Sequence, residues 1–157
     1  MDFESLLTPN PKQTDGVWIY FADSGMEFLI ASARQRSHQD FIAKRFNDAR
    51  RGRRNLPEDV ANRILVDGVL RNILKGWRPK DAANWFKNKD GSDVPFNKEN
   101  ARKLLEGDSA EASRIRDFII EESQNDFNFS REDEEDGEKT ESASPAEQLK
   151  SGSEVVA

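Results

Sequence analysis

The spacing of apolar and polar positions changes several times along the chain, and each change predicts an element. Residues 1–15 lack periodicity and include Thr8-Pro9-Asn10-Pro11, which reads as loop. Gly16-Val17-Trp18-Ile19-Tyr20-Phe21 is rich in β-branched and aromatic residues and predicts a strand. Asp23-Ser24-Gly25 is a turn signal, and Met26-Glu27-Phe28-Leu29-Ile30 alternates as a hairpin partner would. A hairpin alone is marginal in water, so helices must cover it.

The pattern then becomes helical. Ser37 followed by Asp40 resembles a capping box, with Phe41, Ile42, Ala43 and Phe46 on one face and an end near Gly52. Pro57 suits a first helical turn, and Glu58 and Asp59 favour its positive end. From there Val60, Ala61, Ile64, Leu65, Val69, Leu70, Ile73, Leu74 and Trp77 recur every three or four positions, predicting one central helix. A short helix is expected over residues 79–86, ending on Trp85-Phe86. Asn88-Lys89-Asp90-Gly91 reads as a turn, and Val94-Pro95-Phe96 as extended, because the residue before proline avoids the helical region. Asn97 caps a helix carrying Ala101, Leu104 and Leu105, stopped at Gly107. Asp108 with Glu111 opens a last helix, with Ile115, Phe118 and Ile119 inward, reaching about Phe127. The fold class is α+β, mainly α: an N-terminal β-hairpin on four or five helices. Residues 1–14 form an extension, 15–129 one folded domain and 130–157 an acidic tail, with no internal repeat.

Charge adds an asymmetry that the pattern does not show. The net charge of −6 conceals two opposed blocks. Residues 34–54 hold eight basic side chains against Asp40 and Asp48, a local +6; residues 131–157 hold nine acids against Arg131, Lys139 and Lys150, a local −6. The acidic block has no aromatic residue. It cannot bury enough apolar surface to offset an ordering cost of about 1–2 kcal/mol per residue, so disorder is expected there.

Composition also removes classes of chemistry. With no cysteine there is no disulfide framework, zinc ribbon or cysteine nucleophile, and a single histidine cannot build a site of two imidazoles. The apolar runs at 17–22 and 28–31 fall far short of the roughly 20 residues of a spanning helix. Met-Asp-Phe-Glu has neither the basic nor the apolar region of a secretory signal, which predicts a cytoplasmic protein. His38 reads as an exposed helix-start residue, since Asp40 is too close along a helix to orient it as a base. Asp90, Asp93 and Glu99 lack the ligand spacing of a calcium loop, and turn chemistry accounts for them. Asn128-Phe129-Ser130 matches a glycosylation sequon without a signal to deliver it, and Glu121-Glu122 reads as a solvated face. No phosphate loop or nucleophile elbow is present, so no enzyme, cofactor or metal is expected.

Binding is the remaining class. Arg50, Arg51, Arg53 and Arg54 form the densest basic run and suit either a partner protein or phosphates. No aromatic residue lies between Phe46 and Trp77 to stack bases, which counts against single-stranded nucleic acid. Trp18 and Trp77 sit in apolar patterns and read as core. Trp85-Phe86 lies between polar segments and is a candidate contact pair, since interfaces are enriched in aromatic residues and arginine.

The order of these segments resembles the tail assembly chaperones of long-tailed bacteriophages. The resemblance rests on the strand led by Val17-Trp18, a second alternating strand, an arginine-rich helix and an apolar segment ending Ile73-Leu74-Lys75-Gly76-Trp77. It continues through Val94-Pro95-Phe96-Asn97-Lys98-Glu99-Asn100 before Leu104-Leu105, then Asn128-Phe129 and the acidic tail. Residues 78–86 depart from it, being longer than the usual link. It implies a non-enzymatic protein of the host cell cytoplasm that binds the helical tape-measure protein, keeps it soluble and recruits tail-tube subunits. It also implies absence from the mature virion. The alternatives are a nucleic-acid-binding regulator using Arg50, Arg51, Arg53 and Arg54, and a structural tail or connector component of the virion.

Overall fold

A computed structural model describes residues 2–8, 10–81 and 85–130. Their order is α1 (Phe3–Leu7), α2 (Pro11–Asp15), β1 (Val17–Phe21), β2 (Met26–Ile30), α3 (Arg36–Arg50), α4 (Glu58–Gly68), a π-helical turn (Val69–Ile73), β3 (Leu74–Pro79), α5 (Lys98–Leu105), α6 (Ala110–Gln124) and a 3₁₀ turn (Asp126–Phe129). The class is the expected α+β, with an antiparallel sheet in the order β1-β2-β3.

Alternation along β2 sorts its side chains between two environments. Met26, Phe28 and Ile30 are fully buried, while Glu27 and Leu29 face the opposite side. Gly25, at φ 70°, closes the β1–β2 turn in a conformation that disfavours other residues. Phe28 pairs with Ile19 on one side and Trp77 on the other. α6 covers this inner face, where Phe118 stacks on Phe21 at 4.3 Å. Trp77 lies edge-on between Phe86 at 5.4 Å and Phe96 at 4.9 Å, and its Nε1 donates to the Val94 carbonyl at 3.2 Å.

Trp77 corrects the expected central helix. That helix ends at Gly68, opens through the π turn and continues as β3. Leu74 and Trp77 are inward-facing strand residues rather than the last turn of a helix. Two local weaknesses permit the switch: Gly76 is a poor helix former, and Pro79 biases Arg78 towards extended backbone. The gain is non-local, because β3 satisfies an edge of β2 that would otherwise stay unpaired. Gly76 also leaves room for Trp18, whose Cη2 lies 3.4 Å from where a Cβ would stand. Trp18, expected in the core, is half-buried on the outer face beneath the Arg78 guanidinium, 4.0 Å from its ring centre.

Further corrections concern ends and caps. The expected loop at 1–15 contains two short helices, capped by Asp2 and Asn10. Asn10 is buried, accepts from the Lys12 N–H at 3.1 Å and donates to the Phe129 carbonyl at 2.5 Å. α3 begins after Gln35, without the Ser37–Asp40 box. Gln35 is used differently: its Nε2 donates to the carbonyls of Ser32 and Asn72, both at 2.9 Å, pinning the π turn. Ala43 is exposed. α6 is capped by Ser109 rather than Asp108 and ends at Gln124, after which Asn125 caps the 3₁₀ turn. The helix expected over 79–86 is replaced at its start by the end of β3. Residues 82–84 lie outside the described residues, and Trp85 and Phe86 belong to no helix. Asn97 caps α5 as expected, accepting from the Asn100 N–H at 2.7 Å. The acidic segment 131–157 also lies outside the described residues.

Candidate functional site

α3 buries no residue completely and packs against α4, with Phe41, Ile42 and Phe46 half-buried. Gly68 gives these side chains room: an added Cβ would lie 2.6 Å from Ile42 Cδ1 and 3.0 Å from His38 Cε1, so both would have to shift. His38 is therefore packed between helices, not exposed as expected. Its Nδ1 is buried without a hydrogen-bond partner among the described residues. Burial holds the imidazole below its ordinary pKa, partly offset by the Gly68 backbone. No carboxylate hydrogen-bonds this ring among the described residues, so nothing orients it as a base.

The four arginines predicted as contacts sit where α3 ends. Arg50 is its last residue, Arg51 its C-cap, and Arg53 and Arg54 follow Gly52 at φ 75°. All four are exposed, and none makes an ion pair among the described residues. Arg50 lies over the Phe46 ring at 5.4 Å. Placed at the C-terminal end of a helix, they complement its dipole as well as presenting positive charge.

Trp85 and Phe86 lie elsewhere, half-buried against the core. Phe86 packs on Trp77 and, at 6.3 Å, on Phe28. No hydrogen bond, ion pair or ring contact joins this pair to the four arginines among the described residues. Asp90, Asp93 and Glu99 are engaged locally and separately. Asp90 accepts from the Ser92 hydroxyl and N–H, which lower its pKa; Asp93 pairs with Lys87; Glu99 lies 3.6 Å from Lys103. Asn128 of the sequon donates its side-chain amide to Glu122. The described residues hold no group of three or more side chains able to bind a metal. None of their helices is long and apolar enough to cross a membrane.

Periodicity did not reveal a cleft of about 630 Å³ between α4, α5 and α6. Leu65, Val66, Val69 and Ile120 provide an apolar floor, and Leu65 is 42% exposed although its spacing predicted an inward position. Polar ties hold the walls together. Asp67 receives Arg45 of α3 at 2.9 Å and Arg102 of α5 at 2.8 Å. Burial alone would raise the Asp67 carboxyl, but hydrogen bonds and charge from Arg102 and Arg45 outweigh it and hold the pKa below its ordinary value. Arg116 of α6 donates to the Leu105 carbonyl at 2.9 Å, joining α6 to the end of α5. A sequence signal was the run Ile64-Leu65-Val66: three consecutive apolar residues span about 200° of a helix, wider than the stripe that one core covers. A second exposed apolar face lies on α1, where Phe3, Leu6 and Leu7 are 74%, 65% and 68% exposed.

The lining runs along α4 from Asp59 to Val69, roughly 15 Å, while its apolar floor there is confined to Leu65, Val66 and Val69, about one turn. An apolar strip set between polar walls is the form of groove that accepts an amphipathic helix.

The model of the YdaY prophage protein family matches residues 28–140, from within β2 through α6 and into the acidic segment. No curated protein and no solved structure matches the chain. The match bears out the phage origin that the resemblance implied, but its description names neither tails nor chaperones.

Proposed function

Because the chain belongs to the YdaY prophage protein family and is phage-derived, we propose that it is a non-enzymatic tail assembly chaperone. On this reading it binds the helical tape-measure protein in the host cytoplasm, recruits tail-tube subunits around it and leaves before the virion is complete. The observation that carries the proposal is the open, apolar-floored cleft between α4, α5 and α6. Support also comes from the order of segments along residues 15–137, which resembles those chaperones. A chaperone for a long helical client needs an apolar surface that stays open in the free protein, together with enough charge to remain dispersed. The net charge of −6 meets the second need.

The test is co-expression with the largest helical protein encoded nearby, followed by affinity capture at moderate salt. A soluble complex with a client that is insoluble alone is the expected result. A client soluble by itself, or insoluble in both cases, refutes the assignment. Mass spectrometry of purified virions separates this reading from a structural tail component, which would be retained there.

A further inference from the structure

The rim of the α4–α5–α6 cleft has a charge that the chaperone reading alone does not require. Asp59, Glu106, Asp108 and Asp117 surround the floor, against Arg63 and Arg116, a local balance of −2. Glu106 is paired with Arg102 at 3.0 Å, whereas Asp59, Asp108 and Asp117 are exposed and make no ion pair among the described residues. Arg116 is turned inward to the Leu105 carbonyl and the Ser113 hydroxyl. The free charge bordering the apolar strip is therefore mainly negative.

From this juxtaposition the geometry points to one class of occupant: a basic amphipathic helix, its apolar stripe on Leu65, Val66, Val69 and Ile120 and its flanking Lys or Arg residues against Asp59, Asp108 and Asp117. The inference rests on the cleft being the client site, and it names the chemistry of the client segment. Apolar burial supplies the affinity, while the rim sets orientation and discriminates against acidic helices. The chain's own α1 segment is a poor occupant. It has the right apolar face, but Asp2 and Glu4 beside it would meet a rim of the same sign.

The probe is an 18-residue fluorescent peptide with leucines on one helical stripe flanked by lysines, and a twin with glutamates in place of the lysines. Both are titrated into the full-length protein and followed by anisotropy and by amide chemical shifts. The lysine peptide is expected to bind about tenfold or more tightly than its twin, to weaken as salt rises and to shift amides in residues 59–69, 105–108 and 116–120. Leu65→Glu is the decisive variant. It adds an acid, so simple charge attraction would strengthen binding, whereas seating on the apolar floor predicts a loss of about tenfold or more. Asp117→Lys, at an exposed position, supplies a second variant that keeps the fold and is expected to weaken binding several-fold. Equal affinity for both peptides, shifts confined to residues 131–157, or tighter binding by Leu65→Glu would each overturn the inference. Capture of the tape-measure protein without peptide in the cleft removes this inference and leaves the chaperone reading standing. Peptide seated in the cleft without a solubilised client does the opposite.

Discussion

Replacing Asp67 with asparagine deletes the one carboxylate that α3 and α5 both hold on α4. Its side chain is 18% exposed, against 39% for Arg45 and 44% for Arg102, so the pairs are partly desolvated at one end and wet at the other. Fully exposed pairs contribute roughly 0.2–1 kcal/mol, and hydrogen bonds to charged groups about 1.5–3 kcal/mol. Discounting for the two wet guanidinium ends, and for the acceptor that asparagine retains, gives an expected loss of about 1–2 kcal/mol at neutral pH. The pH dependence follows from the lowered pKa. A carboxyl whose folded pKa lies below its unfolded value contributes its full stability above the unfolded value, and loses it as pH falls through the folded one. The gap between the native protein and Asp67→Asn should therefore be widest near pH 7, begin to narrow below the ordinary value of 3.8 and close in stronger acid. Urea unfolding of both proteins across that range measures it, and the other carboxylates cancel in the difference. A gap that persists unchanged in acid, or no gap at pH 7, would refute the argument that these two ion pairs hold α3 and α5 to α4.

Other consequences follow from the same packing. Asn10→Ala removes an N-cap and leaves the buried Phe129 carbonyl without its donor, an expected cost of about 1.5–3 kcal/mol in urea unfolding. Deleting residues 1–8, where α1 buries nothing, should cost under about 0.5 kcal/mol. Phe86→Ala should lose about 2 kcal/mol, because the ring packs on Trp77 and Phe28; an unchanged denaturation midpoint would instead mark it as a contact residue. Converting Arg50, Arg51, Arg53 and Arg54 together to glutamine should leave Tm within roughly 4 °C, since none is paired among the described residues. The same variant tests the nucleic-acid alternative, which requires it to abolish a salt-sensitive interaction with DNA.

Local rules carried the elements whose reasons are local. The β1–β2 hairpin was legible from its composition and from Gly25. The start of α5 was legible from Asn97, and the inward face of α6 from Ile115 and Ile119, because period, turn and cap are written in adjacent residues. The α+β class and the phage origin were legible for a similar reason: both reside in the order of segments, which survives errors at their ends. The candidate contacts divided. The exposure of the four arginines could be read from charge density, whereas Trp85-Phe86 could not be placed, since a short apolar pair looks the same whether it meets a partner or the protein's own Trp77.

What the tertiary structure alone decided lies between residues 65 and 79. A helical period continues through that stretch, and nothing nearby announces that the free edge of β2 will draw Leu74 to Pro79 into a strand. Once the helix stops at Gly68, α4 must pack its inner stripe with fewer turns, and Leu65 is left on the outside as the floor of a cleft closed by α5 and α6. Periodicity states that a stripe exists. Which neighbour covers it depends on hydrogen bonds and side chains brought from distant parts of the chain, and that is why the cleft could not be placed from the sequence.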